Sequence, residues 1–374
     1  MKVALVHDYL KEYGGAEKVL EALHDIFPEA PLYTAFYFPE YLGPHRKRFE
    51  DWDIRTSLLQ NIPFAEKLVS PLRLLSSQVF ENWNLDRYDL VIVSATGAYF
   101  PNLIRTKQGC LHLCYCHTPP RYLYGYATAR NWKKYSWGRV AGAYVNHKLR
   151  QSDYVSAQRP DYYIANSEEV KNRIRKFYRR EASIIYPPVD LADRINPKSE
   201  NRNLKSEAEY FLAGGRLARA KHIDLIIEVA NKLEFPLKIF GRAFAGYGAE
   251  LKKTAGPTVE FVGEVSDETL IELYRKAKAL IFASEDEDFG IMPVEAQACG
   301  TPVVAYRSGG VKESVIEGKT GIFFDSLSSA SLTSAVKRMN KTIIKAVDCQ
   351  ENARRFGKMR FTKEILRFIK EKRA

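Results

Sequence analysis

Seven residues separate Glu287 from Glu295 in the stretch Ser284-Glu285-Asp286-Glu287-Asp288-Phe289-Gly290-Ile291-Met292-Pro293-Val294-Glu295-Ala296. The apolar run Leu280-Ile281-Phe282-Ala283 in front of it has the pattern of a strand buried on both faces. Pro293 suits a first helical turn, and Glu295-Ala296-Gln297-Ala298-Cys299 reads as a short helix stopped by Gly300. The order is therefore strand, acidic loop, glycine, helix N-terminus. Gly290 lets a ligand approach the backbone, and free N–H groups at a helix start favour oxygen anions or sugar hydroxyls. Two carboxylates beside such a nest disfavour phosphate and suit hydroxyl groups, one from a ribose and one from a hexose. The pattern fits a sugar nucleotide. A merely solvated acidic loop would not require phenylalanine, glycine and proline at those offsets.

A diphosphate needs cations, and these stand on another strand. Gly214-Gly215-Arg216-Leu217 closes an apolar run, and Lys221 follows Arg216 by five residues. Arginine supplies a forked donor set and lysine a mobile point charge, together able to hold a leaving pyrophosphate. Near the start, Gly14-Gly15-Ala16-Glu17 links a strand to a helix and allows close backbone approach, without a Gly-x-Gly-x-x-Gly fingerprint. His117-Thr118-Pro119-Pro120-Arg121-Tyr122 closes the strand that contains Cys114 and Cys116. Strand alternation puts both cysteines on one face and His117 on the other, so a shared metal is disfavoured and small buried cysteines are expected. A histidine at a strand's C-terminal end stands where α/β proteins bind ligands, although a purely structural histidine fits too.

The segment from Glu287 to Ala296 resembles the paired-glutamate motif of retaining GT-B glycosyltransferases, especially glycosyltransferase family 4 and its mannosyltransferase-like branch. The Gly-Arg-Leu wording with its downstream lysine is similar to that family's, and the His-Thr-Pro-x-Arg-Tyr wording is similar to that of transferases using GDP-mannose. The resemblance implies that Arg216 and Lys221 neutralise the departing diphosphate and that Glu295 holds the ribose. It implies that Glu287 positions the hexose with His117 and the backbone of Phe289, Gly290 and Ile291. Gly14 and Gly15 would face the donor, with Gly215 at the phosphates and Val265 in the loop bordering the nucleobase. No cofactor is implied beyond the nucleotide-sugar co-substrate, and no metal: Asp286-Glu287-Asp288 is like an Asp-x-Asp metal motif that belongs to a different transferase fold. The expected acceptor is a glycan or a polyprenyl-pyrophosphate-linked sugar. A same-fold epimerase or phosphorylase is the alternative.

These residues need two α/β scaffolds to position them. The chain of 374 residues exceeds a comfortable single core. Short apolar runs alternate with helical patterns on both sides of a polar stretch, 195–209, that reads as a linker. The expectation is an α/β GT-B architecture of two Rossmann-like doubly wound domains: an acceptor domain over 1–190 and a donor domain over 191–357. A last helix, 358–374, would cross back with Phe361, Ile365, Phe368 and Ile369 on one face. The start of the chain passes straight into a strand, no run suggests a membrane span, and five cysteines form no disulfide-like framework, which together suggest a cytoplasmic protein. Net charge is +12, and 102–159 holds ten Lys or Arg against one acid, Asp153, interleaved with Tyr and Trp. That composition suits peripheral contact with an anionic membrane, a nucleic-acid surface or a solvated face; the paired glutamates argue against nucleic acid.

Overall fold

Strictly alternating side chains run along parallel strands whose two faces are both covered. The computed structural model describes residues 1–126, 136–192, 194–195, 209–243 and 246–373. The linker core at 196–208 lies outside the described residues, as do Arg130, Trp132, Lys133, Lys134 and Tyr135 of the basic stretch. Two compact units form, one from residues 1–126, 136–188 and 361–373, the other from Val189–Arg360.

The first unit holds seven strands: β1 (Val3–His7), β2 (Leu32–Thr34), β3 (Ile54–Thr56), β4 (Leu90–Ala95), β5 (Leu111–Cys116), β6 (Tyr162–Ala165) and β7 (Ala182–Ile184). Their order is β3-β2-β1-β4-β5-β6-β7, with every pairing parallel. Val91, Val93, Cys114 and Cys116 enter the core on one face, while Leu90, Ile92, Leu113 and Tyr115 enter the core on the other. All five cysteines are free and buried. β7 pairs Ala182 with Tyr163 and ends at Ile184, just ahead of Ile185, Tyr186 and Pro187. The three-residue strands β2 and β3 are too short to show a period of two.

The second unit holds β8 (Tyr210–Gly214), β9 (Leu237–Phe240), β10 (Val259–Gly263), β11 (Ala277–Phe282), β12 (Val303–Tyr306) and β13 (Gly321–Phe324). The order β10-β9-β8-β11-β12-β13 is again wholly parallel, with a core on each face. In both sheets the strand order reverses next to the first strand, at β1/β4 and at β8/β11. Crevices at the carboxyl ends of such switch points are where open α/β sheets bind ligands. No described helix is long and apolar enough to cross a membrane.

The closing helix, Lys358–Arg373, buries Phe361, Ile365, Phe368 and Ile369 in the first unit, in the core that also holds Leu5 and Tyr115. The Phe361 ring meets Tyr115 edge-on at 5.9 Å. Phe361→Ala should therefore destabilise the first unit by about 3–5 kcal/mol through the cavity it leaves. All four tryptophans precede residue 140, so denaturant unfolding followed by tryptophan fluorescence reads this unit. A loss below about 1 kcal/mol would show that the helix docks without that ring.

Candidate active site

In the second unit, β8 ends on Gly214 and passes through Gly215 and the exposed Arg216 to a tight turn, Arg219–Lys221. β11 ends at Phe282 and leads into the acidic loop. The two turns are tied together, since the Glu285 N–H donates to the Ala220 carbonyl at 2.9 Å. Across this junction the Lys221 ammonium donates to Glu287 Oε2 at 2.5 Å and to Ser284 Oγ at 3.1 Å. The Ser284 hydroxyl donates to the same Glu287 oxygen. Lys221 and Glu287, from separate strands, are thus one partly exposed pair, 26% and 16% exposed.

The loop backbone is fixed from below. The Gly310 N–H donates to the Glu287 carbonyl at 2.8 Å, and a Cβ on Gly309 would lie 2.0 Å from that carbonyl oxygen. Only glycine fits there. Gly290 takes φ +88° and stands just before the helix Ile291–Ala298, with Pro293 in its first turn as expected. The Phe289 ring is not at the surface; it is buried edge-on against Phe356 at 5.3 Å and anchors the loop. Val265 is half-buried beyond Gly263, in the turn after β10.

Glu295 stands differently from Glu287. It is 3% exposed, and its Oε1 accepts from Arg194 Nη2 at 3.4 Å. Arg194, itself 7% exposed, lies just past the start of the unit. Burial alone would lower its pKa, but the Glu295 charge, joined by Cys299, Tyr274 and Asp267, offsets this, and the guanidinium stays above its ordinary value. Burial and the Glu295 charge also push the nearby Tyr274 phenol well up. Arg194 is invisible to motif reading because it stands 101 positions from its partner.

The first unit gathers its polar residues at its own switch point. His117 follows β5 and is buried; its Nε2 lies 2.9 Å from Ser94 Oγ on β4. Burial, then the neighbouring His7, lowers its pKa to about 3, so the ring is neutral in ordinary buffers. His7, the last residue of β1, contacts Ser94 on one side and Glu17 on the other. Glu17 Oε2 accepts the Gly14 N–H at 2.8 Å, so a helix-capping contact fixes the Gly14-Gly15 turn. Asp8 is wholly buried there, accepts from the Thr96 N–H at 2.6 Å, and is raised in pKa by burial. Among the described residues no cluster of three or more His, Cys, Asp or Glu could hold a metal.

Known proteins share this architecture. Residues 195–356 match the model for "Glycosyl transferases group 1", and residues 13–193 match that for "Glycosyltransferase Family 4". A D-inositol 3-phosphate glycosyltransferase of Catenulispora acidiphila is 29% identical over 218 residues, covering 52% of this chain and 51% of that protein. An uncharacterized glycosyltransferase of Methanocaldococcus jannaschii is 26% identical over 202 residues, covering 53% and 55%. The chain thus spans about half the length of the curated relatives it matches. Among solved structures, Anabaena HepE in complex with UDP and glucose superimposes at a TM-score of 0.69 with 20% identity, over 99% of each chain. Sucrose-phosphate synthase from Thermosynechococcus elongatus gives 0.71 at 16% identity, also over 99% of each. The chain thus carries a domain matching the family 4 model followed by one matching the group 1 model, on the fold of GT-B glycosyltransferase structures. The relatives named here are not mannosyltransferases by name.

The buried Arg194–Glu295 pair gives a direct expectation. Arg194→Leu should destabilise the second unit by about 3–5 kcal/mol, because it takes the guanidinium away from a buried carboxylate, and adding Glu295→Gln should recover most of that loss. Hydrogen exchange at β11 measures it. Additive losses from the two substitutions would mean that the charges do not depend on each other.

Proposed function

We propose that this protein is a retaining hexosyltransferase that moves a sugar, most simply mannose from GDP-mannose, to a hydroxyl of a glycan or lipid-linked acceptor. The observation that carries this reading is the Lys221–Glu287 pair, set beside a helix N-terminus at the carboxyl edge of a parallel sheet. A cation and a carboxylate that satisfy each other at a partly exposed edge can both be redirected to a ligand holding phosphate and hydroxyl groups. Lys221 and Arg216 take the diphosphate, Glu287 takes hexose hydroxyls with the N–H groups after Gly290, and Glu295 takes the ribose. GDP-mannose rests on the His-Thr-Pro-x-Arg-Tyr wording at His117.

In this scheme the bond from the anomeric carbon to the β-phosphate oxygen breaks as the acceptor oxygen bonds to the same face. The acceptor's proton passes to the departing phosphate, and the nucleoside diphosphate leaves. Arg216 and Lys221 stabilise the charge that grows on that leaving group, which removes the need for a metal.

Product analysis over a panel of GDP-mannose, UDP-glucose and other nucleotide sugars, with polyprenyl-pyrophosphate-linked and free glycan acceptors, tests this reading. Transfer with retained anomeric configuration from GDP-mannose is expected, and it should persist in excess EDTA. Sugar interconversion without an acceptor would point to an epimerase, and dependence on orthophosphate and pyridoxal phosphate to a phosphorylase. Loss of transfer in EDTA with recovery in magnesium or manganese would make the acidic loop a metal site.

The same reading places the acceptor at an anionic membrane. The charge excess of 102–159 supports this, as do the exposed Tyr144, Tyr154 and Val155 on the helix Ser136–Ala157. Each basic residue near such a surface contributes about 1 kcal/mol. Arg130→Glu with Lys133→Glu and Lys134→Glu should abolish salt-sensitive binding to phosphatidylserine liposomes while leaving donor hydrolysis intact. A wild-type protein that ignores those liposomes at low salt would refute the membrane role.

A further inference from the structure

The polar chain of the first unit determines which nitrogen of His117 carries its proton. His7 Nδ1 lies 3.0 Å from the Ser94 carbonyl oxygen and 3.1 Å from Ser94 Oγ. A carbonyl oxygen only accepts, so His7 Nδ1 must carry a hydrogen, shared between the two oxygens. The Ser94 hydroxyl therefore cannot donate to His7. It is fully buried, and a buried hydroxyl is costly if left without an acceptor. The acceptor within reach is His117 Nε2, at 2.9 Å. Accepting that hydrogen leaves Nε2 unprotonated, and a neutral imidazole must then carry its proton on Nδ1.

We propose that Ser94, oriented by His7, is a positioning residue that holds His117 as the neutral Nδ1–H tautomer, so that the ring meets its ligand as a hydrogen-bond donor and not as a base. The role at a ligand rests on the reading above that puts His117 beside the transferred sugar; the tautomer rests on the first unit alone. The consequence for mechanism is specific. His117 supplies an N–H to a sugar oxygen and takes no proton from the acceptor, which leaves that proton to the departing phosphate. Glu17 stands next in the chain: its Oε1 lies 3.7 Å from His7 Nε2, while its Oε2 accepts the Gly14 N–H. The Gly14-Gly15 turn and the His117 ring are thereby anchored to the same buried residues.

Long-range proton–nitrogen correlation on the full chain with 15N-labelled histidine reads the tautomer of each ring, and His117→Gln assigns the signal. The expected spectrum shows His117 protonated at Nδ1 near neutral pH, moving to Nε2–H or a mixture in Ser94→Ala and returning in Ser94→Thr. An Nε2–H ring in the wild type, or a tautomer unmoved by Ser94→Ala, would overturn the proposal whatever the activity. In the transfer assay, Ser94→Ala should lower kcat about tenfold with little change in donor KM, the size of one misdirected hydrogen bond, and Ser94→Thr should restore it. Unaltered transfer in His117→Gln, with the tautomer as expected, would overturn the ring's part at the ligand and with it the site reading, while leaving the Ser94 assignment standing.

Discussion

Every strand pairing in both sheets is parallel, and that single constraint organises the functional residues. A parallel strand must be followed by a crossover, so all strand-to-helix turns open on one edge of each sheet. The Gly14 turn, Ser94 and His117 meet at that edge in the first unit. Gly215, Lys221, Ser284 and Glu287 meet at that edge in the second. Chemistry is concentrated there because the rest of each strand is buried on both faces and has no room for charge.

Within that edge, burial separates two kinds of ion pair. Exposed pairs are worth roughly 0–1 kcal/mol, so opening a partly exposed pair such as Lys221–Glu287 costs little. The Arg194–Glu295 pair is nearly sealed, and removing one partner costs about 3–5 kcal/mol. This second pair is a fixed element that holds Glu295 in place, linking the start of the second unit to the helix Ile291–Ala298. His117 shows the same logic with a neutral group: burial removes its charge, and hydrogen bonding sets what remains.

Much of this was legible in the sequence, for identifiable reasons. Long, strongly apolar strands such as 111–116 announced themselves by composition, and the turn glycines marked their ends. The Glu287–Glu295 spacing and the Gly-Arg-Leu wording stand out because loop chemistry there is local in sequence. The support that Gly309 and Gly310 give Glu287 emerges only from a backbone approach that leaves no space for a Cβ. Arg194, Ser94 and His7 were illegible for a different reason: each acts through a partner that only the folded chain brings close, 101, 23 and 87 positions away. Phe289 was legible as necessary, but its side chain proves to be a buried anchor.

We propose that the second unit holds a nucleoside diphosphate sugar at the β8/β11 switch point through Lys221, Arg216 and both glutamates. A crystal structure of the protein with a nucleoside diphosphate bound tests it most directly. The diphosphate should lie within hydrogen-bond distance of Arg216 and Lys221, with the Lys221–Glu287 pair separated and the ribose hydroxyls on Glu295. A diphosphate bound elsewhere, with Lys221 still on Glu287 and Glu295 making no ribose contact, would contradict it.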